Sequence, residues 1–395
     1  MRNMVNSTPV SLHWFLPTYG DSTGIIDSAH SYSTTPDARG AAEKVRRGTL
    51  SYLTQIAQAA EANGLDSMLV PTGAWCQDPW VVASALIPAT TTLKLMVAVR
   101  PGVISATTTA QMSAAFQNLS GNRLALNVVT GAEDGEQRAY GDFLNKHQRY
   151  QRSGEYLALL RSLWTSEQPI TTRGDYVHVE RAAIDQQPAV LPPVYFSGAS
   201  DIALEIAAQH ADVYLTWGET SERVSALAAR VSELAHHRGR DLQHAIRFHV
   251  IARPTSEEAW AVASRLIENC DPEQVARVQR GLRNAQSQGQ QRMNETYTEL
   301  ASFDADTDVR ALQIQPGVWA GIGLVRGGAG TALVGSYEEV AELIELYRDA
   351  GEEHFVLSGY PHLEETFHIG EGVIPALRRR GVRAGSGDTV AGVPR

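Results

Sequence analysis

The sequence has 395 residues, with 34 Lys and Arg against 44 Asp and Glu, which gives a formal net charge of −10. Hydrophobic residues make up 43% and charged residues 20% of the chain, as in ordinary folded domains, so a disordered chain, a collagen-like chain and a disulfide scaffold are excluded. The acidic balance argues against a nucleic-acid partner, because phosphate binding needs an excess of Lys and Arg.

Cysteine usage and hydropathy indicate the compartment. Two cysteines, Cys76 and Cys270, do not make a disulfide framework in so long a chain, which favours a reducing environment. The N-terminal residues show no apolar segment behind a basic start, so no signal peptide is predicted. No run reaches the roughly 18 apolar residues of a transmembrane helix. We therefore expect a cytoplasmic protein with no membrane partner.

Short apolar runs alternate with longer helical patterns along the chain. The predicted strands are 12–16, 67–70, 93–99, 124–129, 194–196, 213–216, 246–252 and 354–357. A predicted helix follows each strand, at 49–63, 80–87, 107–119, 149–164, 201–210, 221–237, 257–268 and 364–378. Many strand runs are apolar without alternation, as in strands buried on both faces. Eight such units predict an α/β fold, a TIM (β/α)8 barrel, with a doubly wound parallel sheet as the alternative.

The predicted barrel forms a single domain over residues 1–380, with two insertions longer than a normal connection. The first insertion spans about 20–48 and is polar, and the second spans about 271–335, before a further helix at 337–350. Residues 381–395 are rich in Gly, Ser and Arg, and we expect them to form a disordered tail.

The active site of such a barrel lies where the strands end, so the residues after each strand are the candidate site. Arg247 and His249 alternate on the seventh strand, and their side chains therefore share one face. If that face lines the barrel interior, both groups are costly to bury unless they are used. Packing of both side chains against the outer helices is the equally compatible alternative.

The turn 197–201 opens a helix and is the strongest anion-binding signal. Its small residues let backbone N–H groups and the helix dipole approach a phosphate, although an ordinary N-cap has the same composition. Arg149 and Tyr150, at the start of another helix, are candidates for a second phosphate contact or for a solvated helix face.

The glycine-rich stretch 327–331 lacks the Lys of a phosphate-binding loop and follows no strong strand, which favours a mobile lid. Arg326 beside it is then placed to close on an anionic substrate, unless it is a surface arginine. The spacings of His, Cys, Asp and Glu match no zinc or iron pattern, so no metal site is expected.

The residues after the strands also carry a family resemblance. The matching stretches are 14–18, 71–73, Cys76, 127–131, 149–150, 214–219, 246–250, 319–335 and 357–365. They resemble the bacterial luciferase-like flavin monooxygenases, most closely the alkanesulfonate monooxygenases, over roughly residues 12–378.

This resemblance implies a two-component enzyme that takes reduced FMN from a separate NAD(P)H-dependent flavin reductase. With O₂ it oxidises an alkanesulfonate or related organosulfur substrate and cleaves the C–S bond, releasing sulfite and an aldehyde. The family also implies a homodimer or homotetramer.

The resemblance and the strand-end positions give three groups of candidate residues. The expected catalytic residues are Cys76, Arg247, His249, Arg326, Tyr360 and His362. The expected cofactor-binding residues are Thr72, Gly73, Asn127, Thr130, Arg149, Tyr150, Ser197, Gly198, Ala199 and Ser200. The expected substrate-binding residues are Tyr19, Trp75 and Trp217. A sulfonate is permanently negative, so Arg247 and Arg326 suit it through charge-assisted hydrogen bonds.

The sequence departs from the family pattern on the predicted substrate side. Tyr19 stands where the family usually has His, and Ala74 and Trp75 stand where it usually has Arg and Ser. Neighbouring strands are about 4.8 Å apart, so we expect Tyr19 and Trp75 to touch. Two aromatic faces and one lost arginine favour a longer or aromatic sulfonate, or a sulfone, over methanesulfonate.

Two other functions are compatible with the same barrel. A deazaflavin-dependent oxidoreductase transfers hydride and needs no O₂, and a flavin-binding protein has no catalytic role. The glycine-rich stretch beside Arg326, together with Cys76, favours the monooxygenase over the first. The Arg, His and Tyr residues at the strand ends argue against the second.

Overall fold

The computed structural model describes residues 8–25, 45–131, 134–283, 287–298, 303–304 and 307–385. Eight parallel strands pair in sequence order, and the last pairs with the first, so the barrel is closed. The barrel strands are β1 (Ser11–Phe15), β2 (Ser67–Val70), β3 (Lys94–Val99), β4 (Leu124–Val128), β5 (Val194–Ser197), β6 (Val213–Trp217), β7 (Gln243–Arg253) and β8 (His354–Ser358). The predicted TIM barrel is confirmed, and the doubly wound sheet is excluded by the closing β8–β1 pair.

Helices surround the barrel, one after each strand. They are Leu50–Ala62, Pro79–Leu86, Ala106–Ser120, Lys146–Thr165, Asp201–His210, Ser221–His236, Ser256–Ile267 and, after β8, His362–Phe367 continued through a π-turn into Ile374–Arg379. Helix Leu50–Ala62 shows why the helix ends could be predicted from the sequence. Thr49 caps its N-terminus through a hydrogen bond to Tyr52 N–H, and Gly64 follows its C-cap Asn63 with φ +80°, a left-handed conformation that suits glycine.

Alternate residues of the strands fill the barrel interior. That interior cluster consists of Phe15, Leu69, Met96, Ala125, Tyr195, Val213, Leu215, Ala245 and Val356. Arg247 and His249 lie two and four residues beyond Ala245 on β7, so their side chains also point inward. The interior interpretation of this pair is therefore correct, and outward packing against the helices is excluded.

The second insertion is partly folded onto the barrel. Its helices are Pro272–Arg283 and Gln288–Thr298, and its strands are Gln313–Gln315, Val318–Trp319 and Ala332–Ser336. The last of these strands pairs in parallel with the second half of β7, from His249 to Arg253. The chain then enters helix Tyr337–Asp349, which the sequence predicted as 337–350. This pairing brings the glycine-rich stretch 327–331 beside His249, whose backbone N–H donates to Thr331 O.

Other elements complete the described chain. Asp21–Ser22 pairs antiparallel with Val45–Arg46, which joins the two ends of the first insertion, while residues 26–44 lie outside the described residues. The hairpin Ile170–Arg173 with His178–Ala182 and the short helix Asp134–Ala139 were not predicted.

The predicted disordered tail begins too early. Val382 and Ala384 are buried, and Ala384 forms a bridge with Val10, because this short stretch covers the N-terminal end of the barrel core. Residues 386–395 lie outside the described residues. Among the residues described, none of the helices has the length and apolar character that a membrane crossing requires.

Candidate active site

The ends of β7 and β8 hold a buried arginine inside the barrel. Arg247 donates hydrogen bonds to Ser358 Oγ at 2.8 Å, to Val356 O at 3.3 Å and to the carbonyl of Phe248, and its guanidinium lies 4.9 Å from the centre of the Phe15 ring. All of these partners are neutral, and within the described residues no carboxylate pairs with Arg247. Since a buried charge needs compensation, this arrangement favours an anionic ligand.

A second arginine enters the same cluster from the glycine-rich stretch. Arg326 is only 6% exposed and donates to the Tyr360 hydroxyl at 2.6 Å, so it is not a surface arginine. The stretch itself is held against the rim by Thr331, whose hydroxyl donates to Gly218 O at 2.7 Å. Burial and the charge of Arg326 lower the pKa of Arg247 to about 9, and a bound anion would oppose that shift.

His249 is held neutral between these groups. Its Nδ1 lies 2.8 Å from Ser358 Oγ, and its ring stacks on Tyr360 with 5.5 Å between the centres. Arg247 can only donate, so Ser358 accepts from Arg247 and its own hydrogen is left for His249 Nδ1. Burial and the charges of both arginines keep the pKa of His249 well below its ordinary value. Ser358 lies in a predicted strand-end segment, but its bridging role was missed.

His362 completes what we call the arginine cluster: Arg247, His249, Arg326, Tyr360 and His362. The His362 ring meets the Tyr360 ring edge-on at 5.5 Å. Its Nδ1 lies 2.9 Å from Asp21 Oδ1, and its backbone N–H donates to Asp21 Oδ2 at 2.8 Å. No role was predicted for Asp21, although it lies in the segment that follows β1. Five of the six expected catalytic residues are thus brought together.

Cys76 lies in a separate cavity of about 250 Å³ together with Thr72, Gly73 and Arg100. Burial raises the pKa of the Cys76 thiol well above its ordinary value, so the group is a neutral thiol. Arg100 is 8% exposed and pairs with Glu136 at 2.9 Å, while its Nε and Nη1 have no hydrogen-bond partner. The structure therefore separates Thr72, Gly73 and Cys76 from a second cavity that six of the other expected cofactor residues line.

The predicted aromatic contact is confirmed. The Tyr19 and Trp75 rings meet edge-on, with 5.0 Å between their centres. Trp75 is 36% exposed, so one face of this pair is open to the rim. Their role in substrate binding stays a prediction.

A second cavity of about 250 Å³, the β5 cavity, is open and lies at the ends of β4, β5 and β6. The expected residues that line it are Thr130, Tyr150, Ser197, Gly198, Ala199, Ser200 and Trp217. They come from four segments of the chain, yet they face one space. Seven of the residues that line this cavity were therefore predicted site residues.

The turn after β5 has the geometry of a phosphate cradle. Gly198 has φ +142°, and a Cβ at this position would lie 2.5 Å from the Tyr150 hydroxyl, so a larger residue has no room. Ser200 occupies the N-cap position of helix Asp201–His210, but its side chain makes no capping hydrogen bond. An ordinary N-cap therefore does not explain Ser200, and the helix N-terminus remains open to an anion.

Arg149 does not line the β5 cavity. It is 1% exposed, and its guanidinium binds Asp134 at 2.8 Å, Leu144 O at 2.6 Å and Thr130 O at 3.2 Å. These partners use its donors, so it supports the wall behind Thr130. The cavity instead receives Lys146 and His147 from the first turn of helix Lys146–Thr165.

Arg292, on insertion helix Gln288–Thr298, also lines the β5 cavity and forms a two-bonded pair with Glu219 at 2.7 and 2.9 Å. Lys146 and Arg292 were both missed. The capping box of Asn145 and Gln148 was the available signal for Lys146, because it starts the helix at residue 146. Arg292 follows no barrel strand and gave no local signal.

The polar groups of the mouth fit a phosphate-bearing planar cofactor such as FMN. The cradle, Lys146 and Arg292 suit a terminal phosphate. Asn127, two residues beyond the inward-facing Ala125 on β4, is buried, and its Oδ1 has no hydrogen-bond partner among the described residues, which suits a donor such as a ring N–H.

Comparison with known proteins agrees with the barrel fold. The model of the luciferase-like monooxygenase family matches residues 28–354, and the chain belongs to this family. A riboflavin lyase crystallised with modified FMN and riboflavin is 21% identical, with a TM-score of 0.73 over 95% of this chain and 93% of that one.

Two monooxygenases are similarly related in structure. The EDTA monooxygenase of Chelativorans sp. BNC1 is 19% identical with a TM-score of 0.72, covering 96% of this chain and 97% of that one. A long-chain alkane monooxygenase is 19% identical with a TM-score of 0.71, covering 95% and 92%. At these identities the likeness establishes the shared barrel fold. The family assignment supports a flavin-dependent monooxygenase.

Proposed function

We propose that the protein is a two-component monooxygenase that oxidises an alkanesulfonate or a related organosulfur anion. Reduced FMN from a separate NAD(P)H-dependent reductase and O₂ are the co-substrates. A sulfonate RCH₂SO₃⁻, FMNH₂ and O₂ give the aldehyde RCHO, HSO₃⁻, FMN and water. One oxygen atom of O₂ enters the aldehyde and the other enters water, so atoms and charge balance.

The observation that carries this proposal is the pair of buried arginines in the arginine cluster. Arg247 has neutral hydrogen-bond partners, and Arg326 reaches the same cluster from the glycine-rich stretch. A sulfonate offers three oxygen acceptors and one negative charge, which matches two converging guanidinium groups. His249 is uncharged in this cluster. The positive charge of the cluster that a substrate anion would compensate therefore comes from the two arginines.

FMN is proposed to bind with its phosphate in the β5 cavity, near Ser200, Tyr150, Lys146 and Arg292. Reduced FMN supplies the activation of O₂ when it is bound. The residues of this chain hold the phosphate, orient the substrate anion and exclude water from the space between the two sides. A homodimer or homotetramer is proposed from the family resemblance, and a cytoplasmic location from the cysteine usage.

The test is sulfite release. The protein is incubated with octanesulfonate, FMN, NADPH and a generic flavin reductase, and sulfite and aldehyde are measured with and without O₂. The proposal expects both products in equal amounts only when O₂ is present. Dimethyl sulfone and methanesulfonate are run alongside to define the substrate class.

Two outcomes overturn the proposal. The first is the absence of sulfite from every sulfonate under conditions in which reduced FMN binds. The second is tight binding of a deazaflavin with hydride transfer in the absence of O₂, which would assign the protein to the oxidoreductase alternative.

A further inference from the structure

The Asp21 carboxylate, which lies next to His362 of the arginine cluster, accepts four hydrogen bonds. Its Oδ1 accepts from His362 Nδ1 at 2.9 Å and from Ser22 N–H at 2.9 Å, and its Oδ2 accepts from His362 N–H at 2.8 Å and from Tyr52 OH at 2.5 Å. Asp21 is 2% exposed. A carboxylate surrounded only by donors is in its ionised form, so the hydrogen between Asp21 and His362 belongs to Nδ1.

The orientation of the Tyr52 hydroxyl is fixed from its other side. Arg46 Nη1 donates to Tyr52 Oη at 3.0 Å, and the same guanidinium pairs with Glu364. Because an arginine only donates, the hydrogen of Tyr52 must point to Asp21. Burial alone would raise the pKa of Asp21, but His362 and the Tyr52 hydrogen bond hold it below its ordinary value.

This network joins the two ends of the first insertion to His362. Asp21 and Arg46 lie opposite each other in the antiparallel pair that closes the insertion. Glu364 lies two residues after His362, in the first turn of helix His362–Phe367. Asp21 thus holds His362 at its ring Nδ1 and at its backbone N–H, so the orientation of the imidazole depends on Asp21.

The two histidines of the arginine cluster differ in this respect. His249 Nδ1 accepts a hydrogen bond from the neutral Ser358 hydroxyl, whereas His362 Nδ1 donates one to the Asp21 carboxylate. An imidazole whose one proton is fixed on Nδ1 carries its lone pair on Nε2. The ring contacts both Tyr360 and Phe15, and these two residues contact Arg326 and Arg247 respectively.

We infer that Asp21 is a positioning residue that fixes His362 in the Nδ1–H form, so that Nε2 acts as the proton acceptor of the site. The inference rests on the proposed function. In that reaction the carbon next to sulfur loses one hydrogen as it becomes an aldehyde. The C–H bond breaks and its proton bonds to His362 Nε2, while its electron pair forms a C–O bond to an oxygen atom derived from O₂ as the O–O bond breaks. The C–S bond then breaks, its electron pair leaves with sulfite, and the oxygen becomes the carbonyl of the aldehyde. O₂ and FMNH₂ are the oxidant and the second electron donor.

The first arm of the test measures the tautomer directly and needs no cofactor. Full-length protein with ¹⁵N-labelled histidine is studied by NMR at pH 8, and the His362 signals are identified by their loss in His362→Gln. We expect a proton on Nδ1 and none on Nε2. A proton on Nε2, in a neutral or a charged ring, overturns the inference even if the enzyme is active on sulfonates.

The second arm uses Asp21→Asn, because an amide can donate to Nδ1 and so move the proton to Nε2. We expect the tautomer to switch and kcat with octanesulfonate to fall about 100-fold, while KM changes little, as for loss of a proton acceptor. Asp142→Asn is the matched control, since it removes another buried carboxylate, paired with Arg152, and should leave the His362 tautomer unchanged.

Tyr52→Phe separates positioning from stability. It removes one hydrogen bond to Asp21 but keeps the carboxylate, so the Nδ1–H form should persist. If Asp21→Asn lowers the melting temperature without changing the tautomer or kcat, Asp21 is only structural and the inference is wrong. If Asp21→Asn does not fold, the wild-type and Tyr52→Phe tautomers still decide it. Absence of sulfite release with the expected tautomer rejects the proposed function and the proton-acceptor role with it, but leaves the positioning of His362 intact.

Discussion

The two sides of the barrel mouth are built differently. On the β7–β8 side, Arg247, His249 and Tyr360 are each less than 10% exposed and are connected by hydrogen bonds and ring contacts. On the β4–β6 side, the β5 cavity is open, and basic side chains such as Lys146 and Arg292 reach it from a helix and an insertion. A closed, charged side suits a small reacting anion, whereas an open side suits a long phosphate-bearing tail.

The closed side should be the more sensitive of the two to loss of a charge. Arg326→Ala removes one guanidinium from the arginine cluster, and we expect kcat/KM for octanesulfonate to fall about 100-fold. This corresponds to the upper part of the ~1.5–3 kcal/mol of a charged hydrogen bond. Steady-state sulfite release measures it, with unchanged far-ultraviolet circular dichroism as evidence of folding. Arg310→Ala is the control, because the Arg310 guanidinium lies over the Trp260 ring and not in the arginine cluster. Near-normal turnover would remove Arg326 from the site.

Ser358 tests whether the closed side works through its internal hydrogen bonds. Ser358→Ala leaves Arg247 Nη2 and His249 Nδ1 without their shared partner, and we expect about a tenfold fall in kcat/KM. Ser113→Ala is a matched control, because the Ser113 hydroxyl is equally buried and bonds only to Thr109 O of its own helix. Equal activity of the two variants would show that the bridge is dispensable.

These two sides also differ in how far the sequence predicted them. The turn at 197–201 was recognised from local composition, because a helix N-terminus with small residues is a short-range signal. The inward direction of Arg247 and His249 was not predicted. Their spacing of two residues shows that both side chains lie on the same face of the strand, but it does not show whether that face points into the barrel. Closure of the barrel settles the face, through Ala245 and the interior cluster.

Two of the residues that were not predicted make their contacts with residues far away in the sequence. Asp21 meets His362 over 341 positions, and Arg292 meets Glu219 over 73, so no local pattern reports either contact. Arg149 supports the cavity wall instead of lining it, and the sequence did not show this, because the helix was predicted to begin at residue 149 rather than 146. The strands themselves were predictable, since burial on both faces leaves continuous apolar runs that sequence alone displays.

Acid should weaken the closed side through Asp21. The folded pKa of Asp21 lies below its ordinary value of 3.8, so its stabilising contribution is full above that pH and is lost as pH falls through the folded pKa. We expect Asp21→Asn to lower the free energy of unfolding by about 1–3 kcal/mol at pH 7, and the difference from wild type to shrink below pH 3.8. Urea unfolding at several pH values measures it, with exposed Asp175→Asn as control. A difference that grows on acidification would contradict the assignment.

The smallest effect is expected at the aromatic pair between the two sides. Trp75→Ser removes one of the two rings that meet at 5.0 Å, and we expect the preference for octanesulfonate over methanesulfonate to fall a few-fold, about 1 kcal/mol. A chain-length series of sulfonates for both proteins measures it. An unchanged preference would place Trp75 outside the substrate path.

The central claim is that the β4–β6 side binds the flavin phosphate and the β7–β8 side binds the substrate anion. It is tested most directly by measuring both ligands with a variant of each side. Lys146→Ala/Arg292→Ala and Arg247→Gln are each titrated anaerobically with reduced FMN and reduced riboflavin, and their KM for octanesulfonate is measured. The first variant should lose about tenfold in FMN affinity and its preference over riboflavin, with an unchanged KM. Arg247→Gln should raise the KM at least about tenfold and leave the flavin affinities unchanged. Loss of the phosphate preference in Arg247→Gln, or its retention in the double variant, would contradict the account.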